Sequence, residues 1–284
     1  MKVLKIIGLV FLILLIVMGI SSYLYLKKGG HIPRHDYETE TPAIPTFNRP
    51  AVLVLNKTNG FIHKDAIPAA DAMLKRIADQ QGWDLYISNN GATHNADALD
   101  KFDLVVWNNV SGDVLTEDQR ESLKQWLANG GGWIGLHAAG GDPKYDWEWY
   151  VDSLVGTQFV GHTMSPQFQD ADILITDPSL PITSHLPSPW RIAQEEWYAF
   201  DSNPRDKGFE IILTVDEDSY ITTGKNWRGG MDNMEGEHPM VWRHLVGDGR
   251  AFYSAIGHQA ATYEIPEYEQ LITKAMAWAI NNNP

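Results

Sequence analysis

The sequence predicts an α/β domain, a mostly parallel sheet with helices on both faces, tethered by one N-terminal transmembrane helix. Three observations predict it. Short apolar runs alternate with segments of helical period, polar residues gather just after those runs, and a charge-free stretch of membrane-spanning length precedes them all. The chain has 284 residues, 44% of them hydrophobic, enough to bury a core.

The apolar stretch comes first. Ile6 to Leu26 holds 21 residues without a charge, and a helix rising about 1.5 Å per residue then crosses a hydrocarbon layer of roughly 30 Å. Lys2 and Lys5 precede it and Lys27 and Lys28 follow, so flanking charge does not set its orientation. The run closes on Ser-Ser-Tyr-Leu-Tyr-Leu-Lys-Lys instead of a small-residue cleavage site, which reads as an uncleaved anchor over 6–26. Residues 27–50, rich in proline and threonine with the acidic run Asp36 to Glu40, read as an extended linker. The domain is expected over 51–282.

Within that domain, Ala51 to Leu55 is a β-rich apolar run. Ile67, Ala70, Leu74, Ile77 and Ala78 follow at helical spacing. Trp83 to Ile87 and Phe102 to Trp107 read as further strands. Thr116 with Gln119 makes a capping box ahead of Leu123, Trp126 and Leu127, and Trp133 to Leu136 is a fourth strand. Beyond Gly141 the chain turns aromatic and loop-rich, with strands expected at Asp172 to Thr176, Glu210 to Val215, Met240 to Leu245 and Arg250 to Ala255. A final helix from about Pro266 puts Tyr268, Leu271, Ala275, Trp278 and Ala279 on one face. No repeat at a solenoid period interrupts this single domain.

Charge and composition exclude some functions. Past residue 34 the chain carries 17 basic against 36 acidic residues, a formal charge of −19 that repels nucleic acid. The absence of cysteine removes a lipidated cysteine start, disulfides and every thiol mechanism.

In open parallel sheets ligands bind beyond the carboxyl ends of the strands. Asn56, Asn59 and His63 follow the first strand, Asn108, Asn109 and Asp113 the third, His137 the fourth, and Gly257 and His258 a late one. His137 ends an apolar strand and precedes two alanines, the slot of a nucleophile elbow; histidine there suits a general base, a metal ligand or a donor to substrate. The literal G-x-G-x-x-G of Gly130 to Gly135 enters a strand instead of leaving one, and is no dinucleotide fingerprint. Glu195 and Glu196 precede Trp197 and Tyr198 in an expected strand, where neighbouring carboxylates point to opposite faces and one is free to face the site. Tyr145, Trp147 and Trp149 crowd a loop with Asp142, a combination suited to stacking on sugar rings and equally to core packing. Of ten histidines, His63, His137, His162, His238 and His258 lie in polar or Gly- and Pro-flanked settings. None are paired at a local metal-ligand spacing. A divalent metal would therefore draw on separate loops, with His137, His162 and His258 as candidates.

Taken together, these motifs resemble the ThuA-like family, named for trehalose utilisation, from about Ala51 to Ala279. The resemblance rests on Gly60 to His63, Ser111-Gly112-Asp113, Gly130 to Ala139 and Tyr145 to Tyr150. It continues through Leu154-Val155-Gly156 with His162, Glu195 to Tyr198, His238-Pro239 with Trp242, and Gly249 to Tyr253 leading to Gly257-His258 and Tyr263. Two positions depart from the family pattern: Ile62 stands where Arg is frequent and Glu195 where Asp is. The resemblance implies a flavodoxin-like fold shared with class I glutamine amidotransferases, whose elbow cysteine is His137 here, which removes thioester-based glutamine hydrolysis.

The resemblance also implies carbohydrate metabolism, with a disaccharide, glycoside or keto-sugar as small-molecule partner. The expected enzyme uses His137 and His258 for proton transfer or metal binding and Glu196 for acid/base work. Asn108, Asp142, Tyr145, Trp147, Trp149, His63, His162, Tyr198, His238, Trp242 and Tyr263 are the expected substrate contacts. A non-catalytic sugar-binding module is the alternative. Display on the periplasmic side of a membrane fits either.

Overall fold

The computed structural model describes residues 2–48, 50–222, 234 and 236–280; linker residue Arg49 and the expected domain end at 282 lie outside them. Apolar runs bounded by Gly, Asn and Asp become strands because β-branched and aromatic side chains pack well on a pleated, covered surface. The first four are β1 (Ala51–Leu55), β2 (Asp84–Ser88), β3 (Leu104–Asn108) and β4 (Gly132–Leu136). After them come β5 (Phe159–His162), β6 (Gln169–Ile175), β7 (Trp190–Glu195), β8 (Tyr198–Phe200), β9 (Glu210–Val215), β10 (Pro239–Val246) and β11 (Gly249–Ser254). The expected strands form with ends shifted by up to three residues, except that the one expected across Glu195 to Tyr198 is interrupted at Glu196 and Trp197. The two-stranded ribbon β5–β8 and the edge strand β7 fall in the stretch read as loop-rich; they are short, and their ladders are broken by register shifts.

The helices are α1 (Lys2–Lys28), α2 (Ala66–Gln81), α3 (Ala96–Leu99), α4 (Glu117–Ala128) and α5 (Pro266–Ile280). The Thr116 and Gln119 capping box starts α4 as expected, each side chain bonding the other's backbone N–H. Gly82 in a left-handed conformation ends α2.

The main sheet runs β2-β1-β3-β4-β11-β10-β9-β6-β7. Its first five strands are mutually parallel, and β10, β9, β6 and β7 continue it antiparallel. The expected parallel sheet is thus the half that ends in candidate site residues. β1, β3, β4 and β11 are buried along their whole length, which requires cover on both faces. Arg76 ties α2 to α5, its Nε donating to Glu269 at 2.9 Å.

The stretch read as a spacer is extended, yet it is strapped to the domain. Arg34 donates its backbone N–H to Asn59 O at 2.7 Å, and the Asn59 side chain donates to Asp36 O. Glu38 accepts Lys57 Nζ at 2.6 Å and the Gly91 N–H at 2.9 Å, pegging the strap between the loops after β1 and β2. Gly30, at φ 75°, passes so near the Gly60 carbonyl that a Cβ would sit 1.9 Å from its oxygen. Before it, Lys5 to Lys28 carry a mean hydropathy of up to 2.6 and are wholly unburied, which makes α1 long and apolar enough to cross a membrane or serve as a signal sequence.

One buried histidine is expected to make the fold acid-sensitive. His94 is fully buried and accepts the Trp107 indole N–H at 3.0 Å; burial pushes its pKa from 6.5 down to about 3. The unfolded chain protonates this ring near 6.5 and the folded chain only near 3. Its stabilising effect is therefore full above pH 6.5 and is lost as pH falls toward 3, at about 1.4 kcal/mol per pH unit. His94→Gln, which keeps an acceptor for the indole, is expected to show a shallower loss between pH 6 and 4 in urea unfolding. Identical slopes for the two proteins would rule this out.

Candidate functional site

Four chain segments converge beyond the carboxyl ends of the central strands. β4 ends at Leu136, and His137 follows in a left-handed backbone conformation with φ 44°, the sharp turn expected of an elbow. Because β11 is the parallel neighbour of β4, with Ser254 opposite Leu136, the chain beyond β11 reaches the same place. Gly257, at φ 135°, turns it inward to His258; a Cβ there would lie 2.4 Å from the Tyr263 hydroxyl, which donates to Gly257 O. His63 closes the loop after β1, which is laced to the loop after β3 by the Asn59 and Gly60 N–H groups donating to Ser111 O. Glu196 arrives from the far edge, just past β7.

His63, His137, Glu196 and His258 present one ligand atom each, all within 4.8 Å of one another. His137 Nδ1 donates to Ala255 O at 2.7 Å, which leaves Nε2 as the lone-pair nitrogen facing the group. There it accepts the Tyr198 hydroxyl at 2.8 Å and lies 3.6 Å from Glu196 Oε2. His258 Nδ1 is 3.0 Å from Glu196 Oε2 and 3.3 Å from His137 Nε2. The His63 ring meets the His137 and His258 rings edge-on at 4.8 and 4.7 Å, and its Nδ1 is buried without a hydrogen-bond partner.

The electrostatics divide these rings. Burial, then the charges of neighbouring histidines, hold His63 and His137 well below the ordinary imidazole range. For His258 burial pulls down, but the Glu196 carboxylate outweighs it and raises the pKa. Burial alone would raise Glu196; the bond from His258 and the charges of His162, His258 and His137 bring it to about 2. A buried carboxylate therefore faces three imidazoles.

Other expected site residues divide by position. His162 lies beside the group, its Nδ1 3.3 Å from Glu196 Oε1, and Tyr198 stacks on His137 at 4.3 Å. His238 is a support: its Nε2 donates to Tyr198 O at 2.7 Å and Nδ1 pairs with Glu217. Tyr263 braces Gly257 and accepts Asn109 Nδ2 at 2.9 Å. The remaining residues bond elsewhere, although Asp142 and Tyr145 lie near enough to Tyr198 to help raise its pKa. Asn108 bonds Ile67 O and Asp71 on α2, and Trp242 is buried with its indole N–H on Val155 O. Asp142 is clamped by the Gly112 N–H, and its burial raises the carboxyl to about 6. Tyr145 donates to Ala139 O, while Trp147 stacks on Tyr150 at 5.5 Å and Trp149 lies against Trp147. These aromatics buttress the turn after His137.

Glu195 corrects the expectation of opposite-facing carboxylates. Strand β7 stops at Glu195 after Gln194 adopts φ 51°, so Glu195 and Glu196 both reach His258, one through its backbone and one through its ring. Glu195 is completely buried and accepts the N–H groups of Glu196, His258 and Gln259 and the Thr262 hydroxyl. Burial pushes its pKa up to about 7 against those donors. Two further residues lay outside the sequence reading: Gln167, donating to Glu196 Oε1 at 2.7 Å, and Phe168, 5.0 Å from the His258 ring. The signal for Glu195 was its place against Trp197 and Tyr198; for Gln167 and Phe168 there was none.

Two solved structures share this fold. A ThuA-like protein from Bacteroides uniformis matches with a TM-score of 0.69 and 24% identity over 84% of this chain and 95% of its own. One from Parabacteroides merdae matches with a TM-score of 0.56 and 18% identity over 82% of this chain and 90% of its own. No curated protein matches the chain. The family described as ThuA, trehalose utilisation, matches residues 51–279, a span that includes all four converging residues, and the chain belongs to that family.

Proposed function

We propose that this chain is a membrane-anchored enzyme of carbohydrate metabolism. In this reading His63, His137, His258 and Glu196 hold a divalent metal, and the substrate is a disaccharide, glycoside or keto-sugar. The observation that carries it is that ligand atoms of these four residues lie within 4.8 Å of one another, with the Nδ1 of His63 buried and without a hydrogen-bond partner. Three imidazole nitrogens and one carboxylate suit zinc and its first-row neighbours, and the bond from the outer nitrogen of His137, Nδ1, to Ala255 O has the form such sites use. A cation held there would supply Lewis acidity to a sugar carbonyl or hydroxyl oxygen. Tyr198, its pKa raised well above 10 by burial, keeps its proton, and with His137 Nε2 on a metal its O–H, now on that nitrogen, would be free to donate to substrate. His162, half-buried beside Glu196, is placed to exchange a proton with substrate. The family's trehalose-utilisation description supports sugar as the substrate class.

The remaining assignments belong to the same reading. The parallel order β2-β1-β3-β4-β11 supports a flavodoxin-like core. Residues 6–26 are the anchor, 27–50 the connection and 51–282 the domain, displayed in the periplasm; the apolarity of α1 supports the anchor.

Elemental analysis of the purified chain is expected to find one first-row divalent metal per chain. His63→Ala and His258→Ala are expected to lose it, while His162→Ala retains it. A metal-free protein in which His137→Ala keeps full turnover on its sugar would overturn the reading. Calorimetric sugar binding without turnover, indifferent to chelation and to the histidine variants, would point to the sugar-binding module instead. Glu195 acts through the His258 loop: Glu195→Ala is expected to weaken metal affinity about 10- to 100-fold, and Glu195→Gln, which keeps one acceptor oxygen, to recover most of it. Equal losses in the two variants would argue against a positioning role.

A further inference from the structure

Four large apolar side chains stand exposed on segments that carry or adjoin site residues: Phe61 at 38%, Val160 at 43%, Met164 at 39% and Ile221 at 54%. Each belongs to a segment tied to a site histidine. The Phe61 ring lies 4.8 Å from that of His63. Val160 and Met164 flank His162 by two residues on either side. Ile221 is held through both its backbone groups by the Gln169 side chain, which also donates to Thr163, next to His162. The neighbour of Gln169, Phe168, packs on His258. An apolar rim therefore surrounds the mouth of the site.

Helix α1 leaves the domain at this rim. Gly29 O accepts the Ile62 N–H at 3.2 Å, and the His31 ring lies 5.1 Å from Phe61. No residue from Lys5 to Lys28 is buried against the domain. Charge follows the same geography. The domain is strongly acidic, yet Lys27 and Lys28 close α1 and Lys64 stands two residues past the Ile62 that bonds Gly29, Lys64 being 82% exposed and only loosely paired with Asp65 at 3.9 Å. Basic residues beside apolar ones at the end of a spanning helix match the surface of an anionic bilayer.

We infer that the mouth of the histidine site rests on the bilayer surface, with Phe61, Val160, Met164 and Ile221 as the contact. This rests on α1 being the anchor proposed above and is independent of the metal. The chain has no cysteine, so single-cysteine variants label uniquely. Met164→Cys, Val160→Cys and Ile221→Cys are compared with Leu245→Cys, which is 65% exposed near the β10–β11 turn, at the opposite end of the sheet. The full-length chain carries an environment-sensitive dye in vesicles of phosphatidylethanolamine and phosphatidylglycerol, with and without a doxyl-labelled lipid quencher. Dyes at 160, 164 and 221 are expected to shift to the blue and to quench several-fold more than the dye at 245. If the protein floats with the vesicles but the rim dyes quench no more than the reference, the inference falls while the anchor stands. If the protein does not float with them, the anchor and the inference fall together.

Discussion

The hydrogen bond from His137 Nδ1 to the Ala255 carbonyl, 118 residues on, joins the ends of two strands, β4 and β11, that lie side by side in the sheet. It forms because the two strands are parallel and in register, so both release their chains at the same height. Everything chemical in the molecule hangs on this coincidence. The bond sets the tautomer of His137 and aims its other nitrogen at His258, Glu196 and Tyr198. Were β11 antiparallel to β4, the chain would leave it at the opposite end of the sheet, and His258 with it.

Much of the fold was legible because it rests on local rules. Five consecutive apolar residues at Ala51 to Leu55 bounded by Pro50 and Asn56 leave few alternatives, and the Thr116 capping box is a backbone pattern written in side chains. The strand-end rule then brought out His63, His137 and His258 without any knowledge of topology, since each follows a strand of the parallel half. What stayed hidden depends on non-local geometry. Neither the left-handed turn at Gln194, which swings two neighbouring glutamates toward one histidine, nor the path of Gln167 to Glu196 has a local pattern. Asn108 met the same strand-end criterion as the histidines and the aromatics from Tyr145 to Trp149 a compositional one; partners from α2 and Tyr150 engage them instead.

The site also shows how a fold keeps ionisable groups out of water. Two glutamates buried side by side are tolerable only if each has its own donors, and they do: backbone N–H groups and Thr262 for Glu195, imidazoles and Gln167 for Glu196. The division gives one carboxylate to architecture and the other to the histidines. Tyr198 works on both sides of that division, held from behind by His238 and touching His137 in front.

The strap that follows α1 has a mechanical meaning. A free tether of about 20 residues would let its cargo wander over roughly 25 Å and tumble in every direction. Here Arg34, Glu38 and Thr41 fasten successive points of the chain to the loops after β1 and β2, and Gly29 is bonded to the loop that carries His63. The helix and the domain therefore meet at a stiff joint, and whatever holds α1 sets the direction in which the histidines look.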